Sequence, residues 1–331
     1  MTVHPDVGLS TSLGDGIVQI RLPMAGNPMR YINGYLVEEP DGLTLIDCGW
    51  KAGDVLAALH AGLAEQRRSL ADIRRVLITH THFDHYGLAG TLLALGVPEL
   101  MMHERDWDFA QRHLSDPVGT DAMADAWIEA NGLHVGAQLD EELQHHRADM
   151  VAPTRLLGDG DAIGRLRAIW TPGHSPGHLC FADTVSGRMF TGDHVLDPVT
   201  PHVGIWYRER GDSLGEYIAS LHKVKVAGAT GVLPAHGEPW EDLAQRVDEL
   251  LAHENEREAQ VLAALATGSK SAADAARVLP WTRRKRSLEE LPETHQQFAV
   301  AETLAHLEHL RFGERATRDE AVRPIRYTLR K

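Results

Sequence analysis

Apolar residues near the start of the chain fall into short runs that are separated by turn residues. The stretches GIVQIRL, INGYLVEE and GLTLIDCG are such runs, and Pro40, Asp41 and Gly42 separate the second from the third. Short apolar runs bounded by turn residues predict β-strands. The next stretch, DVLAALHAGLAEQ, repeats its apolar positions at helical intervals and therefore predicts a helix.

A strand–helix–strand unit follows at residues 73–103. IRRVLITH predicts a buried strand, YGLAGTLLALG predicts a helix that ends at Gly96, and PELMMH predicts the next strand. This order is a β-α-β unit, and its first strand places His80 at its carboxyl end. Open sheets bind their ligands at that edge.

A second strand-rich region begins after residue 150. Its predicted strands are RLRAIWT, HLCFAD, RMFTGD and GVLPAHG, with a helix near 213–226 before the last. Residues 104–150 are polar and largely helical in pattern, which indicates an insertion. Alternating groups of strands and helices predict an α/β protein with two facing sheets and helices outside them.

The last part of the chain is helical and then extended. The stretches from 241 to 265, 271 to 279 and 295 to 310 have helical spacing, and RPIRYTLR predicts a strand of a hairpin. Three helices and a hairpin are the outline of a winged helix. We therefore predict a catalytic domain at 1–250 and a winged-helix-like domain at 251–331.

Composition narrows the classes of partner and compartment. The chain has 331 residues and a formal net charge of −14, which does not favour non-specific binding to phosphate backbones. The mildly basic C-terminal region, with TRRKR at 282–286, keeps nucleic acid open as a partner. Two cysteines, no signal-like N-terminus and no long apolar run predict a cytoplasmic protein without a membrane partner.

The stretch LITHTHFDHYG contains the densest group of metal-binding side chains. His80, His82, Asp84 and His85 follow an apolar strand within six positions. A divalent ion needs nitrogen or oxygen donors that converge from several directions, so this group supplies only part of a site. Residues that follow later predicted strands are the candidates for the rest, namely His174, Asp193 and His236.

These seven residues, in this order and after LIDCG, resemble the motif series of the metallo-β-lactamase superfamily. The resemblance covers roughly residues 10–250 and implies an αβ/βα four-layer sandwich. It implies that the first metal is held by His80, His82 and His174, and the second by Asp84, His85 and His236, with Asp193 bridging the two. Asp47 resembles the family's aspartate that orients a metal-binding histidine, although a helix N-cap is a rival interpretation.

Two divalent ions at such a site can share a hydroxide that is nucleophilic near neutral pH. Asp84 can orient that hydroxide and take up its proton, which makes it the candidate catalytic residue. Imidazole and carboxylate donors favour zinc, while iron and manganese remain alternatives.

The resemblance also ranks the substrates. β-Lactamases of this fold have cysteine or serine in the region of Asp193, so the aspartate favours the glyoxalase II-like branch, which hydrolyses thioesters and esters. We therefore predict a hydrolase of a small thioester, ester or lactone, of the acyl-glutathione or acyl-CoA type. A single-strand endoribonuclease is the first alternative and a β-lactam hydrolase the second. The C-terminal extension resembles that of lactamase-like hydrolases with a winged helix, and a homodimer stays open.

Overall fold

The computed structural model describes residues 9–115, 117–133, 150–206 and 211–330. Contacts divide the chain into two compact units. The first unit consists of Met1–Leu114, Asp140–Pro201 and Lys223–Arg246. The second unit consists of Ser115–Leu139, His202–His222 and Val247–Lys331. All seven predicted metal ligands belong to the first unit.

The larger sheet of the first unit has seven strands in sequence order. They are β1 (Ser10–Gly14), β2 (Ile17–Pro23), β3 (Tyr31–Glu39), β4 (Gly42–Ile46), β5 (Ile73–Leu77), β6 (Glu99–His103) and β7 (Arg155–Leu157). The pairs from β1 to β4 are antiparallel, as short turns allow. The pairs from β4 to β7 are parallel, because longer crossovers join them.

The smaller sheet of the first unit has five strands, in the order β12-β11-β10-β9-β8. They are β8 (Ala162–Ile163), β9 (Leu166–Trp170), β10 (Leu179–Asp183), β11 (Met189–Gly192) and β12 (Val232–Pro234). β10 is antiparallel to both β9 and β11, and β11 is parallel to β12. The carboxyl ends of β9, β11 and β12 therefore lie at one edge of the sheet.

Nine α-helices lie in the described residues. Their bounds are Gly53–Glu65, Phe83–Tyr86, Ala89–Ala94, Glu104–Ser115, Pro117–Asn131, Ser213–Ala227, Leu243–Ala266, Ala272–Ala276 and Glu293–Phe312. The rest of the predicted helical insertion, residues 134–149, lies outside the described part of the chain. None of these helices is both long and apolar enough to cross a membrane.

The helix predicted over residues 86–96 is present as Ala89–Ala94, and the short helix Phe83–Tyr86 precedes it. Gly87 lies between them, and a Cβ atom there would stand 2.6 Å from the Lys51 backbone nitrogen and 2.8 Å from the Gly49 carbonyl oxygen. Such distances are far shorter than van der Waals contact, so only glycine allows this approach. The backbone contact with the loop after β4 explains why the helical pattern is interrupted here.

The two sheets face each other across an apolar core. Tyr35 on the larger sheet and Phe190 on the smaller one are both buried, and their rings meet edge to face at 5.2 Å. Leu77 and Phe181 are fully buried in the same cluster. The other face of the larger sheet packs against helix Gly53–Glu65 and its neighbours. The predicted α/β architecture with two facing sheets is confirmed.

The edge at which the site forms is joined across the two sheets. The Leu179 backbone N–H donates to the Thr79 carbonyl oxygen at 2.8 Å, which links the start of β10 to the loop after β5. Asp47 follows β4, which is parallel to β5, so it lies at the same edge. The loops that carry the predicted ligands therefore start from one side of this double sheet.

The second unit contains the three C-terminal helices of the prediction, apart from the first four residues of Leu243–Ala266. A hairpin of β13 (Ala316–Asp319) and β14 (Arg326–Leu329) follows the last helix. A capping box at Ser271 and Asp274 begins helix Ala272–Ala276. The guanidinium of Arg257 lies 4.4 Å from the centre of the Trp281 ring and donates to the Pro280 carbonyl oxygen. The winged-helix assignment and the boundary at residue 250 stay predictions.

Replacement of Phe181 by alanine tests the core between the sheets. Phe181 has no exposed surface, so Phe181→Ala leaves a cavity and should lower the free energy of unfolding by about 3–5 kcal/mol in urea denaturation. The matched control is Val185→Ala, just beyond the same strand, because Val185 is 65% exposed and should change stability by less than about 0.5 kcal/mol. Equal effects of the two substitutions would contradict this packing.

Candidate metal centre

Three histidine rings from two loops meet at this edge, and we call them the first cluster. His80 and His82 follow β5, and His174 lies between β9 and β10. Nε2 of His80 is 2.8 Å from Nδ1 of His82. Nε2 of His174 is 3.2 Å from that His80 atom and 3.0 Å from that His82 atom. Three nitrogen donors converge on one point, as they would around a bound zinc ion.

A second cluster of donors lies beside the first. Asp84 and His85 belong to the short helix Phe83–Tyr86, and His236 follows β12. Nε2 of His236 is 3.2 Å from Oδ2 of Asp84, and Nε2 of His85 is 3.7 Å from the same oxygen. One ligand atom from each of the three lies within 4.8 Å of the others, so the cluster could also hold a cation.

Asp193, directly after β11, contacts members of both clusters. Its Oδ2 atom is 3.7 Å from Nε2 of His85 and 3.7 Å from Nε2 of His174. Its Oδ1 atom is 3.6 Å from Nε2 of His236. The structure thus brings all seven sequence-predicted ligands together, with the carboxylate between the clusters.

Hydrogen bonds behind two of the rings determine which nitrogen faces the centre. Nδ1 of His85 donates to Oδ2 of Asp47 at 2.8 Å, and the Thr79 hydroxyl donates to the same oxygen at 2.8 Å. The Thr79 oxygen is then free to accept from Nδ1 of His80, 3.1 Å away. Both histidines consequently turn Nε2, and not Nδ1, toward the centre.

This arrangement resolves the two interpretations of Asp47. Helix Gly53–Glu65 has Ala52 as its N-cap, so Asp47 does not cap it. Asp47 is buried and also accepts the Thr79 backbone N–H at 2.8 Å. Its contacts are those of a residue that orients a histidine.

Two further buried residues support the loops of Asp193 and His236. The backbone N–H of Asp193 donates to Nε2 of His178 at 3.1 Å. The amide of Asn33 donates to the carbonyl oxygens of Pro234 at 3.0 Å and Gly237 at 2.8 Å, on either side of His236.

Sequence reasoning missed three residues of this supporting layer: Asn33, Thr79 and also Asp106, whose carboxylate accepts the Thr81 backbone N–H at 2.8 Å. Thr79 directly precedes His80, so its position next to the motif was an available signal. Asp106 is buried in helix Glu104–Ser115, where an acidic residue in the first turn is ordinary. Nothing in the pattern around Asn33 or Asp106 connects either residue with the histidines.

The local electrostatics suit metal binding. Burial, and then the neighbouring His85, holds the pKa of His80 well below its usual range. Burial raises the pKa of Asp84, but the charge of His85 and the contact with His236 outweigh it and lower that pKa to about 2. His80 is thus neutral and Asp84 ionised at neutral pH, which are the states that metal ligands require. Burial lowers the pKa of His85, but the carboxylates of Asp84, Asp47 and Asp193 outweigh it and raise that pKa, so a bound cation would displace the proton of His85.

Unsatisfied polar atoms provide a separate test of whether these residues fit a metal ion. Among the described residues, Nε2 of His85 and Oδ1 of Asp193 are buried without a hydrogen-bond partner. Buried polar atoms in proteins nearly always have a partner. Both atoms point to the space between the donor groups, so a cation there would satisfy them.

Comparison with known proteins agrees with this geometry. The family model for the metallo-beta-lactamase superfamily matches residues 28–256, and that for a metallo-beta-lactamase-like C-terminal domain matches residues 259–330. The lactamase-like protein vrtG of Penicillium aethiopicum is 28% identical over 253 residues, which are 74% of this chain and 65% of vrtG. An atrochrysone carboxyl ACP thioesterase of Aspergillus fumigatus is 28% identical over 270 residues, 79% of this chain and 68% of that enzyme.

Solved structures extend the similarity over nearly the whole chain. A metallo-beta-lactamase family protein from Thermus thermophilus has a TM-score of 0.79 and 31% identity, covering 96% of this chain and 100% of its own. A beta-lactamase domain protein from Burkholderia ambifaria has a TM-score of 0.81 and 27% identity, and the match covers 99% of this chain and 95% of that protein. The match with vrtG spans less than two thirds of that protein's length. On its fold, its family model and these structures, the chain belongs to the metallo-beta-lactamase superfamily.

Proposed function

We propose that the protein is a dinuclear metal-dependent hydrolase that cleaves a small thioester, of the acyl-glutathione or acyl-CoA type. The observation that carries the proposal is the position of Asp193 between two separate clusters of metal donors. Two divalent ions, preferentially zinc, would supply Lewis-acid polarisation of the substrate carbonyl and activation of a water molecule. The first cluster would hold one ion, the second cluster the other, and Asp193 would contact both.

The protein's own groups would orient and deprotonate the attacking water. Asp84 has an ionised carboxylate whose Oδ2 atom lies close to His236 and His85. A carboxylate in that position can accept a hydrogen bond from the water and then its proton. Asp47 and Thr79 keep the histidine rings from rotating, so the donors are already arranged before the substrate arrives.

A thioester suits such a site chemically. An ordinary thiol has a pKa of about 8.5, so its thiolate leaves without a general acid. The centre then needs only a nucleophile and a polarised carbonyl. The relatives from Aspergillus fumigatus and Aspergillus aculeatus that are named atrochrysone carboxyl ACP thioesterases support the same substrate class.

We also infer that residues 251–331 form a winged-helix-like domain in addition to a catalytic domain at 1–250. The order of three helices followed by the β13–β14 hairpin supports this inference, as does the separate C-terminal family model. The exposed segment Thr282–Arg286, with four cationic residues, is the feature that keeps single-stranded RNA as an alternative substrate.

A substrate panel tests the reaction class. The purified protein with added Zn²⁺ should hydrolyse S-lactoylglutathione or an acyl-CoA, with thiol release measured by a colorimetric reagent. It should act less well on a homoserine lactone and on a single-stranded RNA oligonucleotide. Cleavage of the RNA without hydrolysis of any ester would overturn the proposal in favour of the nuclease alternative.

Removal of one donor of the first cluster tests the dinuclear centre. His82→Ala should reduce bound zinc from about two ions per chain toward one, measured by elemental analysis. It should also lower kcat/KM for the thioester by at least about 100-fold, since metal activation of the nucleophile is lost. The control is His60→Ala, an exposed histidine on helix Gly53–Glu65, which should change neither quantity. Full activity of His82→Ala would exclude this mechanism.

Replacement of Asp47 tests the orientation of His85. Asp47→Asn keeps the size of the side chain, but its neutral amide cannot accept as strongly from Nδ1 of His85. We expect zinc affinity to fall by about 10- to 100-fold, as measured by competition with a chromophoric chelator. A variant with unchanged affinity would show that Asp47 does not set the histidine's orientation.

A further inference from the structure

The carboxylate of Asp106 joins the two loops that carry the first cluster, although the side chain itself contacts none of the seven ligands. Its Oδ2 atom accepts the Thr81 backbone N–H at 2.8 Å and the Ser175 hydroxyl at 2.9 Å. Its Oδ1 atom accepts the Gly177 backbone N–H at 2.5 Å. Thr81 separates His80 from His82 in the chain, and Ser175 directly follows His174.

We propose that Asp106 is a positioning residue for the first cluster, setting its metal affinity by holding the loop after β5 against the loop between β9 and β10. The two loops belong to different sheets, so their spacing is not determined by strand pairing at this point. The buried carboxylate of Asp106, with donors from both loops, holds that spacing next to the ligands, in addition to the bond from the Leu179 backbone N–H to the Thr79 carbonyl oxygen. This inference rests on the proposed metal centre.

The hydrogen-bond donors around Asp106 require a side chain with two acceptor oxygens. Its side chain is fully buried, and its three donors are two backbone amides and one hydroxyl. An asparagine has only one acceptor oxygen, so its amino group would face the N–H of either Thr81 or Gly177. A buried donor that faces another donor is unfavourable, and the loops would separate to relieve it.

Gly177 shows how closely the loop approaches the helix of Asp106. A Cβ atom at position 177 would stand 2.4 Å from the Asp106 backbone nitrogen and 2.8 Å from its Oδ1 atom. Glycine at 177 is therefore required for the hydrogen bond to form. The same geometry makes the role of Asp106 distinct from that of Asp47, which contacts His85 of the second cluster.

Zinc titration of Asp106→Asn tests the proposal, with the full-length protein and a chromophoric chelator as competitor. We expect one of the two zinc sites to weaken by about 10- to 100-fold and the other to stay unchanged. Ser175→Ala, which removes one of the three hydrogen bonds, should weaken the same site by a smaller factor. If Asp106→Asn does not fold, the zinc affinity of Ser175→Ala still tests the proposal. The control is Asp108→Asn, which removes an equal charge from a position two residues further along the helix and should bind zinc as the parent does.

A double variant identifies which site responds. In the His82→Ala background the first cluster is already disabled, so Asp106→Asn should not weaken the remaining zinc any further. Unchanged affinities in Asp106→Asn, or equal weakening of both sites with a lower melting temperature of the metal-free protein, would overturn the positioning role. Failure of the parent protein to bind zinc would instead refute the proposed function, so the two failures are distinguishable.

Discussion

The structure of the site depends on holding seven ionisable side chains close together at an edge where some of them, such as His80, are buried and others, such as His82, are exposed. Burial opposes the charged form of His80, whose Nε2 atom lies 3.2 Å from that of His174, so such closely placed rings need partners that fix their orientation. A supporting layer of buried hydrogen bonds fixes the orientation of these rings. Asp47 and Thr79 act on the rings themselves, while Asn33 acts on the backbone that carries His236.

This supporting layer follows from the architecture of two facing sheets. In each sheet, the strands that precede the candidate ligands have their carboxyl ends at the same edge. This is because β9, β11 and β12 run in the same direction and β4 runs parallel to β5. Loops from both sheets then meet, and each needs an anchor to the other. The bond from Leu179 to Thr79 is one anchor. The carboxylate of Asp106 is another, and it joins the loops that carry the histidines of the first cluster.

Much of this organisation could be predicted from local patterns. The apolar runs located the strands, and the spacing after β5 singled out His80, His82, Asp84 and His85 as candidate metal donors. The prediction failed where a long-range contact outweighed a local pattern. Gly87 divides a helical pattern because its backbone packs against the loop after β4, a contact that no window of neighbouring residues contains. Asp106 was missed because its partners are separated from it by as many as 71 residues.

The sequence by itself predicted a metal centre, because residue type decides which side chains can bind a metal and their order matches the family's motif series. Only the tertiary structure decided how the donors are held. Orientation depends on which nitrogen of each ring is protonated, and that depends on partners such as Asp47 that fold against the ring from another strand. Residue type therefore indicated the candidate ligands, whereas packing between the two sheets decided the orientation of their rings, their spacing and the role that we propose for Asp106.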